Sequence, residues 1–248
     1  MKDVKVGDRI LTAANEFEAV YAFGHFQPSK KTRFLKIETD HQNTLEVTAD
    51  HLLYRDGNTN PVRSGSIQVG DRLVSFDSIE TSIQTVRKVS STFKTGIYAP
   101  LTTSGSFLVN GVKVSSYASI QAPRNENDTS EYAEFDHGFK FMPQHTGIHL
   151  LLAPFRTFCH FQTCDTYNED GMPPHIARGI QMLKWAEEQG RWLQVAMFVP
   201  AIILFSGAFI LEQVILHTNG MELLAFLGCV GMMYVSSRKQ SCRAYKTA

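Results

Sequence analysis

Val4-Lys5-Val6-Gly7-Asp8-Arg9-Ile10-Leu11-Thr12 returns, lightly edited, as Ile67-Gln68-Val69-Gly70-Asp71-Arg72-Leu73-Val74-Ser75, at an offset of 63 residues. One short block repeated at that spacing marks one structural unit used twice. Each copy reads as an apolar strand end, a Gly-Asp turn and a second apolar run, which is a hairpin signature. The pair predicts two β-subdomains related by approximate two-fold symmetry. Between the copies lies Thr48-Ala49-Asp50-His51, a Thr-x-x-His element set inside an apolar run.

Outward from the repeat, residues 4–122 read as β-rich. Alternation is visible in Thr44-Leu45-Glu46-Val47-Thr48 and again from Phe107 to Val114. Turn residues interrupt the runs at Asp56-Gly57-Asn58, Thr103-Ser104-Gly105 and Asn110-Gly111. Residues 123–144 form a polar linker containing the sequon Asn127-Asp128-Thr129, which matters only on a luminal face. From His145 the chain turns apolar and aromatic. Ile176 to Trp192 reads as a helix, with apolar residues at Ile176, Ile180, Leu183, Trp185 and Ala186.

The chain has 248 residues, 43% of them apolar, enough for a core in one large domain or one medium domain with an appendage. Basic and acidic residues balance at 24 each, which gives no basis for a nucleic-acid partner. Four cysteines (Cys159, Cys164, Cys229 and Cys242) are too few for a disulfide framework. Cys159 and Cys164 either pair in an oxidising lumen or stand as unrelated thiols. A zinc site built from them with His160 or His175 lacks normal ligand spacing, so no metal or cofactor is expected.

The ordered set of motifs resembles the Hint superfamily, the autoprocessing domain shared by inteins and Hedgehog proteins, and its Hedgehog branch in particular. Phe34-Leu35-Lys36-Ile37-Glu38-Thr39 is similar to the strand before the catalytic block, and Leu45 to Tyr54 to the block itself. Tyr98-Ala99-Pro100-Leu101-Thr102, Phe107 to Val112 and Ser115-Ser116-Tyr117-Ala118 are similar to the C-terminal Hedgehog strands. His149 to Arg156 resembles the element just after the Hint core. The resemblance implies an all-β Hint fold over residues 1–122 and a Hedgehog-like extension over 145–192. It also implies a cysteine and a first strand ahead of Met1. The chain is therefore expected to be part of a longer precursor and inactive as it stands; the other possibility is a domain that has lost its nucleophile.

The resemblance further implies the chemistry. A cysteine attacks the preceding carbonyl and the peptide bond becomes a thioester. A second nucleophile, water or a sterol hydroxyl, then releases the upstream polypeptide, a partner in cis. The departing nitrogen needs a proton, which a histidine can supply near neutral pH. His51 matches that histidine, as general acid. Thr48 would hydrogen-bond the scissile amide and hold it distorted. Hedgehog proteins use an aspartate as the second-step base, on a loop matching Phe23-Gly24-His25-Phe26-Gln27-Pro28; here His25 falls nearest. Ser116 stands where a second Hedgehog cysteine is expected. Splicing needs a His-Asn pair, and no such dipeptide occurs in the chain. The contrasting function is a non-catalytic, membrane-anchored Hint scaffold or interaction module.

Toward the C-terminus, Val195 to Leu211 and Leu223 to Ser237 carry no charge. They read as a transmembrane helical hairpin over residues 193–237, followed by a basic tail over 238–248. The alternative is a buried helix pair in a soluble domain. Membrane lipid is thus an expected partner, and a membrane of the secretory pathway the expected location. Arg191 before the first stretch and Arg238, Lys239, Arg243 and Lys246 after the second favour cytosolic ends. That opposes a luminal Hedgehog-like domain, and the orientation stays open.

Overall fold

The computed structural model describes residues 1–12, 14–77, 80–119, 143–187 and 203–214. Its architecture grows from the repeated block. In each copy an aspartate side chain accepts the backbone N–H three residues earlier, Lys5 to Asp8 at 2.8 Å and Gln68 to Asp71 at 2.9 Å. The intervening glycines adopt φ of 94° and 95°, a conformation that side chains disfavour. Each turn then clips to a later segment. Gly7 N–H reaches Val20 O at 2.8 Å and Val20 N–H reaches Asp8 O at 2.8 Å; Gly70 and Val86 repeat this with 2.9 and 2.8 Å. The two copies share one hydrogen-bond pattern. The turn precedes a strand rather than joining two, so the hairpin expectation is corrected: the partner strand arrives later in the chain.

Ten strands follow: β1 (Arg9–Leu11), β2 (Phe17–Ala19), β3 (Ala22–Thr39), β4 (Thr44–Val47), β5 (His51–Leu53), β6 (Val62–Arg63), β7 (Arg72–Asp77), β8 (Glu80–Leu101), β9 (Ser106–Val109) and β10 (Val112–Ala118). β1 and β2 form a hairpin; the larger sheet runs β4-β3-β8-β7-β10-β5-β6, with β9 on β10. All pairings are antiparallel. β3 and β8 are the long members and pair along most of their length, with the register shifting between Gln27 and Lys31. Pro28, which has no N–H to donate, falls in that irregularity. The stretch from Phe23 to Pro28, expected as a loop, is therefore strand.

Two apolar clusters fill the structure. The first packs Ile37, Leu45, Leu53, Leu73, Val86, Phe107 and Val112 between the strands. The second joins Ala22, Leu52, Leu101 and Tyr117 of the sheet to Ile148 and Cys164. It seats the extension, which contains α1 (Gln144–Leu151), α2 (Ala153–Phe161) and α3 (Pro174–Glu187). Cys159 and Cys164 are disulfide-bonded at the end of α2. The helix expected from Ile176 exists; Ile176 packs against the cluster and Trp185 is exposed.

The membrane hairpin is not borne out among the described residues, where no helix is long and apolar enough to cross a membrane. Of the first stretch, residues 203–211 belong to a helix, α4 (203–214). Its twelve described residues span about 18 Å against a bilayer core of about 30 Å. Within it Glu212 is 2% exposed and forms a forked ion pair with Arg156 of α2 at 2.6 and 2.7 Å. The second stretch, the basic tail and the sequon at Asn127 lie outside the described residues.

Candidate functional site

Thr48 and His51 share one tight turn between β4 and β5, where His51 N–H donates to Thr48 O at 3.1 Å. The 3₁₀ turn Ser64–Ser66 clamps it from one side. Ser64 Oγ donates to Thr48 O at 2.5 Å and Gly65 N–H to Ala49 O at 2.8 Å. Arg63 Nη2 holds Asp50 Oδ1 at 2.6 Å, with Arg63 largely buried and Asp50 more open. From the other side Ser119 N–H donates to Asp50 O at 2.7 Å. Ser64 is fully buried. A Cβ at position 65 would sit 3.1 Å from Ala49 O, so Gly65 permits the close approach.

Opposite β5, the register of β10 shifts between Val114 and Ala118. Such an irregularity turns neighbouring side chains out of simple alternation. The imidazole of His51 is held to about 4 because burial disfavours its charge; a hydrogen bond with the Ser115 backbone opposes the shift without cancelling it. Burial thus favours the uncharged imidazole.

His25 lies on β3, opposite Ala99 of β8. Ala22, on the same strand, and Leu52, the residue after His51, both belong to the second apolar cluster. Its Nε2 contacts Gln27 Oε1 at 2.9 Å. Ser116 is buried and bonded through its hydroxyl to Thr102 Oγ1 at 3.1 Å, which makes it a packing residue here.

Sequence reasoning missed Arg63, Ser64 and Gln27. The signal for the first two was available, since Arg63-Ser64-Gly65-Ser66 directly precedes the second copy of the repeat. It also missed a polar cluster under α1. Tyr117 Oη meets His149 Nδ1 at 2.7 Å, and Arg156 Nη1 donates to His149 O at 2.8 Å. Burial, then Arg156, then His145 push His149 down to about 3. A cavity of about 480 Å³ opens beside Tyr21, Arg156, Cys159 and Glu212. None of Thr48, His51 and His25 lines it. Among the described residues no cluster of three or more His, Cys, Asp or Glu side chains is placed to hold a metal.

Residues 1–151 match the Hint module family. Warthog protein 6 of Caenorhabditis elegans is 31% identical over 129 residues, covering 48% of this chain and 22% of that protein. Sonic hedgehog protein of Xenopus laevis is 29% identical over 187 residues, covering 70% of this chain and 37% of that protein. The chain thus spans well under half the length of these relatives. Among solved structures, the gp41-1 intein is 16% identical with a TM-score of 0.38, over 46% of this chain and 83% of that one. The family match ends where α1 ends, at residue 151, and so takes in every strand of the two sheets. This chain belongs to the Hint family, and Hedgehog proteins are among the proteins it is similar to.

Proposed function

We propose that this chain is a Hedgehog-type self-processing domain that cleaves its precursor through a thioester. The observation that carries the reading is the Thr48–His51 turn clamped by Ser64, Gly65 and Ser119. In the first step, sulfur of a cysteine ahead of Met1 bonds to the preceding carbonyl carbon as the C–N bond breaks. Neutral His51 takes the thiol proton and returns it to the leaving nitrogen, a base first and an acid second. This refines the role of general acid assigned from the sequence. Thr48 hydrogen-bonds the scissile amide. In the second step a hydroxyl, of water or a sterol, attacks the thioester and His25 accepts its proton.

The test is a precursor that places a reporter and a cysteine-bearing first strand ahead of Met1. Reporter release is expected, with His51→Ala slowing it by about 10²–10⁴-fold. Release at an undiminished rate in His51→Ala overturns the reading. The chain alone, with a reporter fused directly to Met1, is expected to release nothing, because its first cysteine is Cys159. The second reading, a non-catalytic Hint scaffold, predicts no release from either fusion. A location in the secretory pathway is supported by the Cys159–Cys164 disulfide, since such bonds persist in oxidising compartments. Membrane attachment through segments after residue 214 is tested by carbonate extraction.

A further inference from the structure

His25 and Gln27 sit two apart on β3, on one face of the strand, with His25 Nε2 2.9 Å from Gln27 Oε1. The other end of the Gln27 amide is also engaged, its Nε2 donating to the backbone carbonyl of Glu169 at 3.0 Å. A carbonyl oxygen can only accept. The amide NH₂ must therefore face Glu169, and the amide oxygen must face His25. That oxygen also only accepts, so the histidine nitrogen across from it must carry a proton.

We infer that the extension after the Hint core fixes neutral His25 as the Nε2–H tautomer, through Gln27, and leaves Nδ1 as the nitrogen with a free lone pair. The segment that imposes this is itself anchored to β3. Phe26 N–H donates to Gly171 O at 2.7 Å, and Phe23 N–H to Tyr167 Oη at 3.4 Å. The Tyr167 ring stacks on Phe26 with centroids 5.1 Å apart. Asn168 closes the turn, its Oδ1 accepting Met172 N–H at 2.9 Å and its O accepting Gly171 N–H at 2.9 Å. Gly171 has φ of 75°, and a Cβ there would collide with Gln27 Cγ and with Phe26 O. Glycine is what lets the turn press close enough to reach Gln27.

The consequence for chemistry rests on the self-processing reading above. In the second step Nδ1 takes the hydroxyl proton as the acceptor oxygen bonds to the thioester carbon. The C–S bond breaks and its electron pair leaves on sulfur as thiolate. Gln27 touches none of these atoms; it is a positioning residue that decides which ring nitrogen is free to act.

Ring ¹⁵N shifts of the full chain, recorded at alkaline pH, read the tautomer directly. The expected result for His25 is a pyrrole-type Nε2 and a pyridine-type Nδ1; a protonated Nδ1 overturns the inference. Gln27→Leu is expected to draw the two shifts toward a common average, and unchanged shifts overturn the role of Gln27. Gly171→Val keeps the glutamine but forces the turn and the Gln27 side chain apart, and should produce the same averaging; unchanged shifts there overturn the role of the extension. In the reporter precursor, Gln27→Leu should slow release from the thioester by about 10–100-fold while thioester accumulates. If the wild-type precursor forms no thioester, the self-processing reading fails, and the shifts still decide the tautomer.

Discussion

Ser64 shows how much a single hydroxyl carries at this site. It is fully buried, and its one proton goes to the Thr48 carbonyl. Ser64→Ala leaves that carbonyl without this donor, a loss of about 1–3 kcal/mol. The midpoint of urea unfolding should fall accordingly, with the slope unchanged. His51 gives the complementary prediction with pH as the variable. Its folded value of about 4 lies below the ordinary 6.5, so the folded state binds fewer protons than the unfolded chain. The stability tied to a neutral His51 is fully present above about 6.5 and is lost as pH falls toward 4. Urea unfolding from pH 7 down to pH 4 should show wild type losing more stability than His51→Gln. Parallel curves would mean that the imidazole is not desolvated in solution.

At the scale of elements, legibility followed distance along the chain. The repeated turn could be read because its determinants are local: an aspartate bonding three residues back and a glycine between. Gly70→Ala, at φ of 95°, is expected to cost about 1–3 kcal/mol, checked by thermal unfolding. The Thr48–His51 turn was legible as a motif, but its clamp was not, because Arg63 and Ser64 act across 13 and 16 residues with no periodic pattern linking them. β3 was misread as a loop at Pro28 for a similar reason. Its pairing partner is β8, and Gln27 and Lys31 face Ile97 and Thr95 there. Proline argues against a strand only where a ladder bond is needed, and the register shift removes that need. Likewise the partner of Glu212, the charge that follows the uncharged stretch Val195 to Leu211, is Arg156, 56 residues earlier, and no local pattern links the two.

For the whole molecule, that ion pair changes what the C-terminal region is. α4 is an integral part of the described structure and not a detachable anchor. Deleting residues 193–248 removes Glu212 and leaves Arg156, 3% exposed, as a buried charge without its carboxylate. Removal of one partner of a buried pair costs about 3–5 kcal/mol. Hydrogen exchange should show α2 and its neighbours losing protection in the truncated chain, while strands around Ile37 and Val86 keep theirs. Replacing both partners, Arg156→Met with Glu212→Leu, should be far milder than Glu212→Gln alone. The same pair also imposes a timetable on synthesis. Its members lie 56 residues apart, so at about 5–20 residues per second the ribosome makes the carboxylate roughly 3–11 s after the guanidinium. Through that interval every strand has already been translated while α2 still lacks its counter-charge. Nascent chains stalled before Glu212 should therefore show α2 less protected from proteolysis than chains stalled beyond it.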